Sequence, residues 1–157
     1  MTKPQNPDFR DILYELSVAG VDCLIVGAHA VMVYTEPRYT KDLDVFVRAT
    51  PGTAPKILAA LRRFGAPTQE LTEADFSQPG ITFQMGLPPN RIDIITEIDG
   101  VTFDEAWSDC RDLQYADVST HVASPNCLIR NKSACGRPQD LIDVEKLKKA
   151  ASLKINR

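Results

Sequence analysis

The residues of this chain best equipped for chemistry are three aspartates, Asp42, Asp44 and Asp93. The stretch Thr40-Lys41-Asp42-Leu43-Asp44-Val45-Phe46-Val47 sets two carboxylates two positions apart at the head of an apolar run. Side chains of a strand alternate between faces, so Asp42 and Asp44 share one face while Leu43 and Val45 pack on the other. Asp93 repeats the pattern, with Ile92 and Ile94 on the opposite face. If the two strands are neighbours, three carboxylates converge. Converging carboxylates repel each other, and a divalent cation held by their oxygens removes the repulsion. Such a set suits Mg²⁺ (or Mn²⁺) carrying a nucleoside triphosphate, with the metal bridging phosphates and stabilising charge on departing pyrophosphate. Paired aspartates at a strand start also occur as solvated edge charges, and the D-x-D pair alone does not decide between the two.

A second feature favours the phosphate chemistry. The apolar run Cys23-Leu24-Ile25-Val26 ends in Gly27 and passes directly into helix-forming sequence, 15 residues before Asp42. Backbone N–H groups at a helix N-terminus bind phosphate, and glycine lets the backbone come close. By itself this unit is an ordinary strand-to-helix turn. Its position ahead of the acidic strand makes it a candidate phosphate cradle beside a candidate metal site.

The elements that must position these groups are legible from periodicity. Asn6-Pro7 supplies a cap and a first-turn proline, followed by Phe9, Ile12, Leu13 and Leu16 at helical spacing and a stop at Gly20. A buried strand is expected at 23–26, a helix from Ala28 to Tyr34 closed by Pro37, and a strand from Leu43 to Arg48. Thr53 to Phe64 reads as an amphipathic helix, with Ile57, Leu58, Leu61 and Phe64 on one face and Gly65 as the stop. Residues 66–79 carry no clear pattern. Ile81 to Leu87 and Arg91 to Ile98 read as an antiparallel hairpin around Pro88-Pro89-Asn90. A short helix at Phe103–Cys110, weak strands at Leu113–Tyr115 and Val118–Val122, a helix from Ser124-Pro125 to about Ala134 and a last helix from Arg137-Pro138 follow. The final helix is expected to pack on the sheet through Leu141, Val144 and Leu147. This order predicts an α/β or α+β fold with one mixed β-sheet flanked by helices, forming a single domain over residues 1–157.

Composition narrows the function classes. Apolar residues make up 43% and charged residues 25%, an ordinary globular balance. No apolar run reaches 18 residues, and the N-terminal segment has no signal-like apolar region, so a cytoplasmic location is expected and a membrane span is not. Cys23, Cys110, Cys127 and Cys135 form no C-x-x-C pair, which disfavours a zinc site. The net charge of −3, with basic residues concentrated only from Arg130 to Lys149, disfavours a nucleic-acid track but leaves cations for the phosphates of a nucleotide.

Taken together, Leu24-Ile25-Val26-Gly27-Ala28, Asp42-Leu43-Asp44 and Arg91-Ile92-Asp93-Ile94 resemble the DNA polymerase beta-like nucleotidyltransferase superfamily. There an apolar strand, a Gly-Gly or Gly-Ser turn and a short helix precede D-x-D, and a third carboxylate follows on a later strand. Gly27-Ala28-His29-Ala30 and Pro37-Arg38-Tyr39-Thr40-Lys41-Asp42-Leu43-Asp44 are similar to the small prokaryotic AbiEii-type and minimal nucleotidyltransferase branch. So is the late series Lys132, Arg137, Pro138, Asp140 and Asp143. The resemblance covers roughly residues 21–150.

The resemblance implies a nucleotidyltransferase fold in which Asp42 and Asp44 ligate metal, and Asp93 completes the site as metal ligand and candidate base. Gly27 and Ala28 would approach the triphosphate. Arg38 and Thr40 are phosphate candidates, Arg38 equally a surface charge, and Lys132 would neutralise phosphate. His29, in the first turn after Gly27, is either a nucleotide contact or a packing residue. Asp140 and Asp143, three apart on a helix, are expected to orient Lys132 or Arg137 by ion pairs. Position 28 departs from the pattern, because alanine has no hydroxyl to offer a phosphate. The implied activity is transfer of a nucleoside monophosphate from an NTP to a hydroxyl of a partner protein, a tRNA end or a small molecule. A toxin–antitoxin or phage-defence setting is plausible by the same resemblance, with a homo-oligomer or small partner protein completing the cleft. The alternative is a catalytically inactive module of the same fold that binds nucleotide or a partner and regulates.

Overall fold

The computed structural model describes residues 6–38, 42–87 and 89–155. Helix α1 (Pro7–Val18) starts where Asn6 accepts hydrogen bonds from the backbone N–H groups of Asp8 and Phe9, and it buries Phe9, Ile12, Leu13 and Leu16. Strand β1 (Cys23–Val26) is buried along its length and runs straight into α2 (Gly27–Tyr34). Strand β2 (Asp42–Val47) keeps Asp42 and Asp44 half-buried while Leu43 and Val45 are sealed in the core. Helix α3 (Ala54–Phe64) ends at Gly65, whose φ of 94° makes the left-handed stop that glycine tolerates. Strands β3 (Thr82–Met85) and β4 (Arg91–Ile95), helix α4 (Phe103–Ser108), strands β5 (Arg111–Tyr115) and β6 (Val118–Val122), and helices α5 (Pro125–Cys135) and α6 (Pro138–Ile155) complete the chain.

The six strands form one mixed sheet in the order β3-β4-β2-β1-β6-β5. Strand β2 lies antiparallel to β1 and parallel to β4, so β1 ends where β2 and β4 begin. That edge carries the acidic residues. Tyr34 at the end of α2 donates to the Ala123 carbonyl at 2.8 Å, tying α2 to the end of β6. Asn131 of α5 donates to the Asp99 carbonyl at 2.9 Å and holds α5 against the segment after β4.

Several expectations need adjustment. Helix α2 begins at Gly27 itself, and β2 begins at Asp42. Strand β4 stops at Ile95, because the Thr96 hydroxyl and backbone N–H bond Ile81 and the chain then turns through an Ile98–Val101 bridge. The unpatterned stretch contains a 3-10 turn at Glu73–Phe76 that buries Phe76 under a Thr72–Asp75 capping box. Helix α6 packs mainly on α5 and α2. Val144 and Leu147 are buried as expected, but Leu141 is 51% exposed. Among the described residues no helix is long and apolar enough to cross a membrane.

Candidate active site

The parallel register of β2 and β4 pairs Asp44 with Asp93 and Asp42 with Arg91. All four residues therefore lie on one face, because their neighbours Leu43, Ile92 and Ile94 occupy the other. Arg91 lies between two of the carboxylates. Its Nη2 is 3.2 Å from Asp42 Oδ2, and its Nε is 3.1 Å from Asp93 Oδ1. A further 3.1 Å bond joins Nη2 to Asp93 Oδ2.

Asp44 is the carboxylate left over. Burial pushes its pKa up to about 7, with the neighbouring charges of Asp93 and Asp42 adding to the rise against the pull of Lys132 and Arg91. Asp42 Oδ1 is buried with no hydrogen-bond partner among the described residues. A buried oxygen without a donor is a rare feature that calls for a counter-charge.

Gly27 is required where it stands. Its φ is +70°, and a Cβ there would collide with the Asp44 carboxylate. The antiparallel register of Val26 with Asp44 sets this close approach. The α2 N-terminus thus abuts the acidic row, and its cap position, Val26, offers no side-chain bond.

A group of cations shares this site. Lys132, in the last turn of α5, is 6% exposed. Its Nζ sits 3.2 Å from Asp140 and 3.2 Å from Asp143. Arg137 reaches Asp140 at 2.7 Å, and Arg38 grips both oxygens of Asp143. Burial raises both carboxyls, but the hydrogen bonds from Arg137 and Lys132 at Asp140, and from Arg38, Gln139 and Lys132 at Asp143, outweigh it and hold both below the usual range.

The acidic row, the glycine turn and the cationic group face one cavity of about 620 Å³. Of the residues singled out from sequence, Gly27, Ala28, Arg38, Asp42, Asp44, Asp93 and Lys132 line it. His29 does not: its ring meets Phe9 of α1 edge-on at 5.3 Å. Thr40 lies outside the described residues. Arg91, Arg137 and Gln139 also line the cavity and had no assigned ligand role. For Arg91 a signal existed, since it stands two residues before Asp93 and so shares its face.

Among the described residues no group of three or more His, Cys, Asp or Glu is set out to ring a metal ion. The donor chemistry nonetheless fits a hard divalent cation. The available ligands are all carboxylate oxygens, one of them is without a partner among the described residues, and the Asp44 carboxyl is raised by burial and then by the charges of Asp93 and Asp42.

The mixed six-stranded sheet flanked by helices has the architecture of the nucleotidyltransferase fold, and in this chain an acidic row lies where β2 and β4 begin. A solved structure similar to this chain is the lincosamide antibiotic adenylyltransferase LnuA in its lincomycin-bound form. The two share 15% identity at a TM-score of 0.58, over 95% of this chain and 99% of that one, so the likeness is one of fold. No family model matches the chain, and no curated protein matches it in sequence.

Proposed function

We propose that this protein is a nucleotidyltransferase that moves a nucleoside monophosphate from an NTP to a hydroxyl of a small molecule. The observation that carries the proposal is a single cavity lined by Asp42, Asp44 and Asp93 together with Arg38, Lys132 and Arg137. A cation site and an anion site in one cavity are what a metal–triphosphate complex needs.

In this reading Asp42, Asp44 and Asp93 would hold the divalent cation, which when bound supplies charge neutralisation for the triphosphate and the departing pyrophosphate. Gly27 and Ala28 let the triphosphate approach the α2 N-terminus, and Lys132 and Arg137 offset its charge. Asp93 accepts the acceptor's hydroxyl proton. The acceptor oxygen bonds to the α-phosphorus, the bond from that phosphorus to the bridging oxygen breaks, and pyrophosphate leaves.

A small acceptor is favoured by a second cavity of about 530 Å³ that shares Glu97 and Ile98 with the first. Phe46 and Arg48 continue the face of Asp42 and Asp44 into it, and Phe103 covers Phe46 at 5.1 Å. The net charge of −3 argues against an extended nucleic-acid track. The lincosamide antibiotic adenylyltransferase LnuA, in its lincomycin-bound form, is compatible with this reading.

The test is incubation with each α-phosphate-labelled NTP and Mg²⁺ across a panel of hydroxylated small molecules, a tRNA pool and protein acceptors. The expected result is labelled small molecule plus pyrophosphate, abolished by Asp42→Ala with Asp44→Ala. Label on tRNA or protein would move the acceptor class. A non-catalytic nucleotide-binding module is the second reading, favoured by Ala28 and by the ion pairs of Arg91 to Asp42 and Asp93. NTP binding without pyrophosphate release from any acceptor would establish it.

A further inference from the structure

Arg91 has no part in the scheme above, yet it bonds two carboxylates of the acidic row. We propose that Arg91 is the resident cation of this site: in the metal-free protein its guanidinium takes the divalent cation's place, so that metal binds tightly only with a nucleotide. The inference rests on the proposed reading of the site as a metal–nucleotide centre.

The geometry carries it. Asp42 and Arg91 are direct partners across the β2–β4 ladder, and Arg91 and Asp93 are next neighbours on one face of β4. The sheet therefore fixes the guanidinium between the two carboxylates. Its three contacts, at 3.2, 3.1 and 3.1 Å, use oxygens that a metal would also need. A guanidinium is a rigid fork of donors suited to bridging carboxylates. It leaves Asp42 Oδ1 without a partner among the described residues and makes no hydrogen bond to Asp44. One positive charge thus stands against three carboxyl groups, an incomplete substitute for a divalent ion.

Arg91 can leave. Its side chain is 33% exposed and lines the same cavity as Lys132 and Arg137, so it swings into space rather than through packing. A metal and a guanidinium sharing the row without further anions would repel. A triphosphate in the cavity supplies those anions and gives Arg91 a new partner. Metal and nucleotide then strengthen each other's binding, and that coupling is reciprocal.

The experiment is calorimetric titration of Mn²⁺ into the metal-free full chain without nucleotide, for wild type, Arg91→Gln, Arg91→Lys and the double variant Arg91→Gln, Asp44→Asn. Arg91→Gln is expected to bind Mn²⁺ at least ~10-fold tighter than wild type, a difference of about 1.4 kcal/mol. Arg91→Lys should fall between, and the double variant should lose the gain. A parallel melt with and without Mn²⁺ covers a loss of stability in Arg91→Gln, whose Tm should rise further with Mn²⁺ than that of wild type. Equal or weaker Mn²⁺ binding by Arg91→Gln, while binding still depends on Asp44, overturns the role of Arg91 and leaves the metal site standing. No Asp44-dependent Mn²⁺ binding in any variant, with or without NTP, overturns both.

Discussion

Two charged clusters line this cavity, and they are balanced differently. Where β2 and β4 begin, two of three carboxyls share one guanidinium; an Asp42 oxygen has no partner among the described residues, and Asp44, left over, is raised by burial and by its neighbours' charges. Between α5 and α6, two buried carboxylates hold Lys132, Arg38 and Arg137, and both are held below their usual range. The first cluster lacks positive charge and the second has one cation more than it has anions. A site short of positive charge beside one with cationic excess favours a divalent cation and an anion together. Burial raises the carboxyls of both clusters and leads at Asp44; hydrogen bonds and ion pairs outweigh it at Asp140 and Asp143 but not at Asp44.

Removing one partner of the completed cluster should have the largest effect on stability. Asp143→Ala removes one of the two carboxylates that hold the buried Lys132 and frees Arg38, and losing one partner of a buried ion pair costs about 3–5 kcal/mol. Urea denaturation should show this loss. A variant within about 1 kcal/mol of wild type would mean that the cluster is solvated rather than closed.

The pH dependence of the metal-free protein reads the incomplete cluster. The folded-state pKa of Asp44 is raised, so its contribution is complete below the unfolded value of 3.8 and is lost as pH rises through about 7. In EDTA, stability should fall between those limits by up to roughly 4 kcal/mol, and Asp44→Asn should remove most of the slope. Saturating Mg²⁺ with NTP should flatten it as well. A wild type whose stability rises steadily over the same range would contradict the charge count.

Gly27→Ala probes the closest approach to the row. The left-handed backbone and the collision with Asp44 together should cost about 1–3 kcal/mol. They should also displace Asp44 and weaken Mg²⁺–NTP binding. Unchanged stability and binding would show that the turn has room to move. The smallest effect is a gain: Ala28→Ser adds a hydroxyl within the cavity and should tighten NTP binding by about 1 kcal/mol, read by calorimetry. No change there would mean that the phosphates do not reach position 28.

Much of this arrangement was legible in the sequence because it follows from local periodicity. The period of two puts Asp42 with Asp44 and Asp93 opposite Ile92 and Ile94, and the glycine after β1 marks the turn. The adjacency of β2 and β4 is a long-range pairing, and no local pattern encodes it. The same holds for α6: its spacing suggested a buried stripe through Leu141, but its contacts with α5 and α2 leave Leu141 exposed. His29 illustrates the same limit. Its place in the first turn of α2 was readable, while its packing on Phe9 depends on where α1 crosses. The ion pairs of Asp140 and Asp143 were foreseen from spacing, but which of Lys132, Arg137 and Arg38 each would hold was not. The stretch 73–76 folded through a capping box that burial of Phe76 makes worthwhile, a gain that appears only in three dimensions.

The most direct test of the account is thermal melting with each NTP, with and without Mg²⁺, on wild type and Asp44→Ala. A ligand that binds only the folded state stabilises it by about 2.7 kcal/mol at a hundred times its Kd. The account predicts an Mg²⁺-dependent rise in Tm with at least one NTP, lost in Asp44→Ala. A rise that persists undiminished in Asp44→Ala, or no rise with any NTP, would contradict a metal–nucleotide site at the acidic row.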